Sequence, residues 1–333
     1  VSALLELERL RVELPVEGAM RPVIHELSLE IAPGEAVGLV GESGSGKSTT
    51  ARSVMRLLPS GADISGGLRF DGVDLLGLDR RGLREFRARE VSMIFQDPRA
   101  HINPVRTIGD FLVEVLTTVR GERREAALAR AEEMLRDVGI TDASRRLRQH
   151  PHELSGGLLQ RVMIAAALLA EPRLILADEP STALDVTTQE EVMAILDEQR
   201  RERNVAMMFI THDLDLAAAV CDRIAVMYAG FIVEEGAAST LHAEARHPYT
   251  RALIAARPDS GARGEPLRAI PGRPLSAFEA PEGCAFATRC PHVGDVCRTT
   301  RPPLREFDGG LVACVRAAEI REGAAPAQAA NGV

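Results

Sequence analysis

The sequence predicts an α/β protein built around a phosphate-binding loop, with a helical insert and a small cysteine-bearing C-terminal extension. Three observations carry that prediction. Short apolar runs bounded by turns read as buried strands, and several deliver polar residues at their carboxyl ends, where open α/β sheets place ligand chemistry. The segment Gly41-Glu42-Ser43-Gly44-Ser45-Gly46-Lys47-Ser48 fits G-x-x-x-x-G-K-[ST] without a mismatch. Lys47 is also the sole lysine of the 333 residues, every other strongly basic side chain being arginine. A compact ammonium is thus kept at the one position where a phosphate cradle needs a point charge.

The elements follow in order. Leu27, Leu29 and Ile31 alternate with polar residues as in a half-buried strand, Pro33-Gly34 makes a turn, and Ala36 to Val40 is a short apolar strand. It runs into the loop, and a helix starts near Lys47. Gly41, Ser43, Gly44, Gly46, Lys47, Ser48 and Thr49 form the candidate nucleotide-binding set, with backbone N–H groups and the positive helix end aimed at phosphates. Val91 to Phe95 is a further strand ending at Gln96-Asp97-Pro98. Between about Thr107 and Leu169 the pattern is helical, charged through Glu122 to Arg136 and apolar from Leu158 to Leu169. Leu174 to Ala177 is a buried strand delivering Asp178-Glu179, and Val205 to Ile210 repeats the arrangement before Thr211-His212-Asp213. Arg223 to Met227 and Phe231 to Glu234, joined through Ala229-Gly230, are expected to close the sheet. From about Arg257 the chain becomes Pro-rich and irregular, gathers four cysteines, and ends in an Ala-rich tail expected to be disordered from Ala317 to Val333.

Composition excludes several function classes. A 45% hydrophobic chain of this length can bury a large core, as one large domain with an appendage or as two domains. A formal charge of −8 argues against a nucleic-acid partner. The longest purely apolar run, Val162 to Ala170, is far short of the roughly 20 residues a membrane-spanning helix needs. Glu6 and Glu8 among the first leucines replace the basic-then-apolar pattern of a secretory signal. The expected setting is the cytosol, where the five cysteines serve as metal ligands or buried thiols.

A phosphate loop alone fits many NTPases, so the other motifs and their order decide. Leu154-Ser155-Gly156-Gly157-Leu158, followed by Gln160-Arg161, resembles the signature motif of ATP-binding cassette (ABC) proteins. Leu174 to Glu179 is similar to their Walker B strand, Ser181-Thr182-Ala183-Leu184-Asp185 to the D-loop, His212 to the switch histidine and Gln96 to the Q-loop glutamine. All stand in the family's order. The resemblance implies a P-loop NTPase core over residues 1–240, with a helical subdomain at about 100–168. It also implies a head-to-tail pair of cassettes with ATP between them. Lys47 would bind the β- and γ-phosphates. Ser48, Asp178 and Gln96 would serve Mg²⁺, and Glu179 would be the general base. His212 would contact the γ-phosphate, and Ser155, Gly156, Gly157 and Asp185 would act across the interface. Two departures stand out. Leu158 occupies the signature's fifth position, and no Phe, Tyr or Trp precedes Phe70, so Leu14 or Val16 would replace the usual adenine-stacking ring.

Phe95-Gln96-Asp97-Pro98 with Asn103-Pro104, His150 to Gly157, and Ala177 to Thr187 resemble the dipeptide/oligopeptide/nickel importer ATPases. So do His247-Pro248-Tyr249-Thr250-Arg251-Ala252-Leu253, Ile270-Pro271-Gly272 and the cysteine set of an extension at 241–316. Ala177 and the Thr182-Ala183-Leu184-Asp185 run look more like the D-type subunit. The likeness implies a motor on the cytoplasmic face of the membrane, powering uptake of di- and oligopeptides. Its partners would be a second, non-identical ATPase, two membrane permeases and an extracytoplasmic substrate-binding protein. Nickel or another small solute is the alternative cargo, and a soluble non-transport ABC ATPase the alternative class. Cys284, Cys290, Cys297 and Cys314 have five, six and sixteen residues between neighbours. Spacing leaves zinc, an iron–sulfur cluster and free thiols open, since the short C-x₂₋₄-C pairs of zinc sites are absent. The resemblance implies a 4Fe–4S cluster. Cys221 is expected in the core.

Overall fold

A computed structural model describes residues 2–181, 184–256 and 269–322. Its strands are β1 (Leu5–Val16), β2 (Ala19–Ile31), β3 (Ala36–Val40), β4 (Asp63–Phe70), β5 (Val73–Asp74) and β6 (Val91–Ile94). They continue as β7 (Leu174–Asp178), β8 (Ala206–Thr211), β9 (Arg223–Tyr228), β10 (Phe231–Ala237), β11 (Arg305–Phe307) and β12 (Gly310–Val312). Two compact units share these elements. One holds Val1–Glu6, Glu30–Ala36 and Leu68–Ile210, the other Leu7–Leu29, Val37–Gly67 and Thr211–Val333.

The first unit centres on a parallel sheet in the order β8-β7-β6, with Leu174 opposite both Val91 and Ala206. Every residue of β7 and β8 is buried, which is why they read as unbroken apolar runs instead of alternating ones. The helices Ile108–Thr118, Arg124–Asp137 and Gly156–Leu169 pack on one another as the expected insert. A capping box starts the first of them, Thr107 and Asp110 each satisfying the other's backbone N–H. The third buries Leu159, Val162, Ile164 and Leu168, each contributing about 1.5–3 kcal/mol of apolar burial. The helix Arg80–Arg89, capped by Asp79, precedes β6 and was not anticipated.

In the second unit the order is β11-β12-β10-β9-β3. β3 runs parallel to β9 with Val37 opposite Arg223, and the antiparallel β9–β10 hairpin turns through Ala229 and Gly230, both at positive φ (46° and 88°). The expectation that this hairpin closes the sheet is corrected. β10 pairs onward with β12, Glu234 opposite Val312, and β12 pairs with β11, so two strands of the cysteine-bearing segment extend the sheet. Each is three residues long, too short for a periodic pattern, and their turn is an Asp308-Gly309 pair. β1, β2 and the start of β4 also belong here, in the order β2-β1-β4. In β1 the buried positions Leu5, Leu7, Leu10 and Val12 slip register at Arg9, which has a positive φ of 47° and pairs with Glu26 at 2.9 Å. That irregularity hides the strand from a search for strict alternation.

The stretch from 317 is not irregular from its start. Ala317–Arg321 is a short helix with Ala317 and Ile320 buried, while 323–333 lie outside the described residues, as do 257–268 and Thr182-Ala183 of the D-loop. Cys221 is buried directly after the helix Leu214–Val220. Among the described residues no helix is long and apolar enough to cross a membrane.

Candidate functional site

The phosphate loop lies in the second unit, between β3 and the helix Lys47–Val54. A Cβ at Gly41 would overlap the carbonyl oxygen of Met227, so only glycine lets the chain leave β3 at this angle. Gly46 caps the helix at φ 104°, a conformation that strains any L side chain, and its cap carries no side-chain hydrogen bond. The first N–H groups of the helix are therefore not claimed by a capping side chain, which is the condition for binding an anion there. Lys47 is buried to 5% exposure and donates from Nζ to the carbonyls of Gly41 (2.7 Å) and Glu42 (3.0 Å), bending over the loop. Ser43 and Gly44 at the tip are exposed, and Ser48 and Thr49 are partly so. His212, exposed, occupies a tight turn after β8 in which Asp213 donates to Thr211 Oγ1 and caps the next helix.

The carboxylates lie in the first unit. β7 ends at Asp178, which is 1% exposed, and the chain turns at once through Glu179 at φ 46°, its N–H held by the carbonyl of Ile210 (2.9 Å). Gln96, eighty-three positions earlier, donates from Nε2 to Glu179 Oε2 at 3.0 Å. Two residues picked from separate motifs are thus joined, and the bond fixes the orientation of the candidate base. In the signature, Ser155 caps its helix and accepts from the N–H of Leu158 at 3.4 Å, so the unusual Leu158 contributes its backbone at the cap. A Cβ at Gly157 would stand 2.7 Å from Thr188 Cγ2, which explains the glycine. Asp185 caps the helix Val186–Glu202, and the backbone N–H and hydroxyl of Thr188 hold its carboxyl below the ordinary range. Leu14 and Val16, the candidates against adenine, lie partly exposed at the end of β1.

The four cysteines of the extension line one cavity together with His247 and Phe286. All five cysteines are free thiols. Burial pushes Cys284 up to about 11 and Cys290 up to about 12, with Cys314 also raised. Among the described residues no three His, Cys, Asp or Glu side chains stand close enough to hold a single metal ion. His247 caps the helix Pro248–Ala255, accepting the N–H of Tyr249 at Nδ1 (3.1 Å), and its own N–H donates to the buried carboxylate of Glu234 (2.9 Å). The His-Pro-Tyr-Thr-Arg-Ala-Leu segment is therefore a helix start anchored to β10. Sequence reasoning missed Glu42, Tyr228, Tyr249 and Arg289 around the loop, because the motif leaves Glu42 unspecified and its partners lie some two hundred residues away.

Residues 24–182 match the family model described as ABC transporter, and residues 233–297 that described as oligopeptide/dipeptide transporter, C-terminal region. The oligopeptide transport ATP-binding protein OppD of Escherichia coli is 43% identical over 319 residues, spanning 96% of this chain and 94% of that one. The chain belongs to the ABC transporter family, in its oligopeptide branch. The OppD protein of Salmonella typhimurium is 42% identical, spanning 96% of this chain and 95% of its own length. Among solved structures, an ATP-binding cassette described as a dimer in a post-hydrolysis state with ADP and Pi aligns with a TM-score of 0.63 at 28% identity, over 70% of this chain and 98% of that one. That family hydrolyses ATP, and the α/β core seen here is the fold of its cassettes.

Proposed function

We propose that this chain is the ATP-hydrolysing subunit of an importer of di- and oligopeptides, acting as a translocase motor on the cytoplasmic face of the membrane. Its partners in this reading are a second, non-identical ATPase, two permeases and an extracytoplasmic substrate-binding protein. The domain bounds go with it: a cassette at 1–240 and an importer-type extension at 241–316. The observation that carries the chemistry is the Gln96–Glu179 hydrogen bond at 3.0 Å, which holds a carboxylate in place beside the buried Asp178.

Lys47, with the loop's N–H groups, binds the β- and γ-phosphates of the substrate ATP. Glu179 takes the proton of the attacking water, Gln96 orients Glu179, and His212 contacts the γ-phosphate. The buried carboxylate of Asp178 and the hydroxyl of Ser48 are hard oxygen donors suited to Mg²⁺, which when bound neutralises charge on the transferring phosphoryl group. Ser155, Gly156, Gly157 and Asp185 serve the nucleotide of a facing cassette. The side chains of Cys284, Cys290, Cys297 and Cys314 line one cavity, and in this reading they are the thiolate ligands of a 4Fe–4S cluster. The cluster would supply a structural staple. Burial raises the thiols of Cys284, Cys290 and Cys314, so these three hold their protons near neutral pH until a cationic centre takes them.

Uptake of labelled di- and oligopeptides, with nickel in parallel, by cells whose own copy is replaced with Glu179→Gln tests the reading. Loss of peptide uptake alone is expected. Loss of nickel uptake alone, or normal uptake of both, would overturn the peptide assignment.

A further inference from the structure

Glu42 fills a position of the phosphate loop that the motif leaves open, yet its side chain and backbone are both held. Its carboxylate receives both terminal nitrogens of Arg289, Nη1 at 2.6 Å and Nη2 at 3.1 Å. Its N–H donates to the hydroxyl of Tyr249 at 2.9 Å, and its carbonyl accepts from Lys47 Nζ at 3.0 Å. One residue thus links the phosphate-binding lysine to the C-terminal extension. Arg289 is itself fixed, 7% exposed, donating from Nε to the carbonyl of Pro271 (2.9 Å) and lying over the rings of Tyr228 and Phe286. The chain has two tyrosines, and both hydroxyls meet this pair, Tyr228 at 3.4 Å from Arg289 Nη1. Two residues along the loop, the carbonyl of Gly44 accepts from the N–H of Ala277, another residue of the extension (3.1 Å).

A half-buried carboxylate is an awkward neighbour for phosphates, because like charges repel and the local dielectric is low. Arg289 neutralises it and, through the two-pronged contact, holds the loop in one shape. A buried ion pair adds little net stability over an apolar pair, so its consequence is looked for in geometry rather than in folding energy. Glycines at 41, 44 and 46 leave the loop much conformational freedom to lose when it closes on a ligand. Anchoring it beforehand lowers that cost and tightens binding.

We propose that Arg289 is a positioning residue for the nucleotide, holding the phosphate loop in its ATP-receptive shape through Glu42, so that the C-terminal extension is a working part of the ATP site. The proposal rests on the reading of the loop as an ATP site given above. Its test is a double-mutant cycle on the full chain, reading the Kd for Mg-ATP by equilibrium dialysis and KM and kcat in the assembled transporter.

Arg289→Met leaves Glu42 charged and unpaired, and Kd and KM rise about 10- to 30-fold, with kcat at saturating ATP within about twofold of the starting value. Glu42→Gln, which leaves Arg289 a single acceptor and so loses the fork, also raises Kd, by about 3- to 10-fold, and adding it to Arg289→Met raises Kd no further than Arg289→Met does alone. A merely structural arginine would lower the active fraction, hence apparent kcat, and its effect would multiply with that of Glu42→Gln. A Kd for Arg289→Met within about twofold of the original, or single effects that multiply in the double variant, overturns the proposal. If Arg289→Met does not fold, Arg289→Lys keeps the charge and loses the fork, and an unchanged Kd there overturns it equally. Lys47→Ala separates the two readings. If it binds ATP as the parent does, the loop is not the ATP site; if it loses ATP while Arg289→Met does not, the positioning role alone fails.

Discussion

Two helix starts in this molecule are built from glycine-rich segments, and they treat their backbone N–H groups in opposite ways. At Lys47–Val54 the cap is Gly46, in a left-handed conformation and with no side-chain hydrogen bond, so no capping side chain claims the first N–H groups. At Gly156–Leu169 the cap is Ser155, whose hydroxyl accepts the N–H of Leu158 at a long 3.4 Å. The second is closed by its own serine. A third helix start, at Pro248, is closed firmly by His247 and is structural.

The largest effect on ATP binding should come from filling the glycine cap. Gly46→Ala forces a side chain into a left-handed position and puts a Cβ 2.9 Å from Met227 Cε and 3.0 Å from the carbonyl of Val23. Strain of about 1–3 kcal/mol in the loop should weaken ATP binding about 10- to 100-fold by equilibrium dialysis. An affinity within twofold of the parent's would remove the argument for glycine at this cap.

Ser155→Ala should do something different. Loss of the cap costs about 1 kcal/mol of stability, which calorimetry would register as a melting point lower by about 1–2 °C. ATP binding to the isolated chain should not change, while hydrolysis by the assembled transporter should fall steeply. Equal loss in both assays would place Ser155 at the chain's own nucleotide and break the contrast.

The smallest effect at neutral pH belongs to His247. Burial depresses its folded value to about 3 from an ordinary 6.5. Between those values the unfolded chain takes up a proton that the folded chain refuses, so this group withdraws stability as pH falls from about 6.5 toward 3. His247→Asn, which keeps a capping side chain, should match the parent near pH 7.5 and lose less stability than the parent at pH 5 in urea titrations. Parallel curves at both pH values would contradict the buried neutral imidazole. Glu234, whose carboxylate accepts the N–H of His247, is raised by burial and is common to both proteins, so it drops out of the comparison.

The regions differ in how well the sequence announced them. β3, β7 and β8 were legible because strands buried on both faces must be continuously apolar, and the loops that follow them carry motifs of fixed spacing. β1 was not, because Arg9 at positive φ shifts the buried positions by one. β11 and β12 were not, because three residues cannot display a period. Within the site, Gln96 and Glu179 were legible individually and their bond was not. Arg289 was invisible, since nothing near it in the chain marks an arginine whose partner lies 247 positions earlier. The four cysteines could be grouped by composition, but only the fold shows that they face one cavity with His247.

The most direct test of the account is single-turnover hydrolysis of labelled ATP by the reconstituted transporter carrying Glu179→Gln. The arrangement of Gln96, Asp178 and Glu179 requires ATP to bind with unchanged affinity while its cleavage slows by about 10²- to 10⁴-fold. Cleavage within about threefold of the parent would show that Glu179 is not the base and that the carboxylate end of β7 does not carry the chemistry assigned to it.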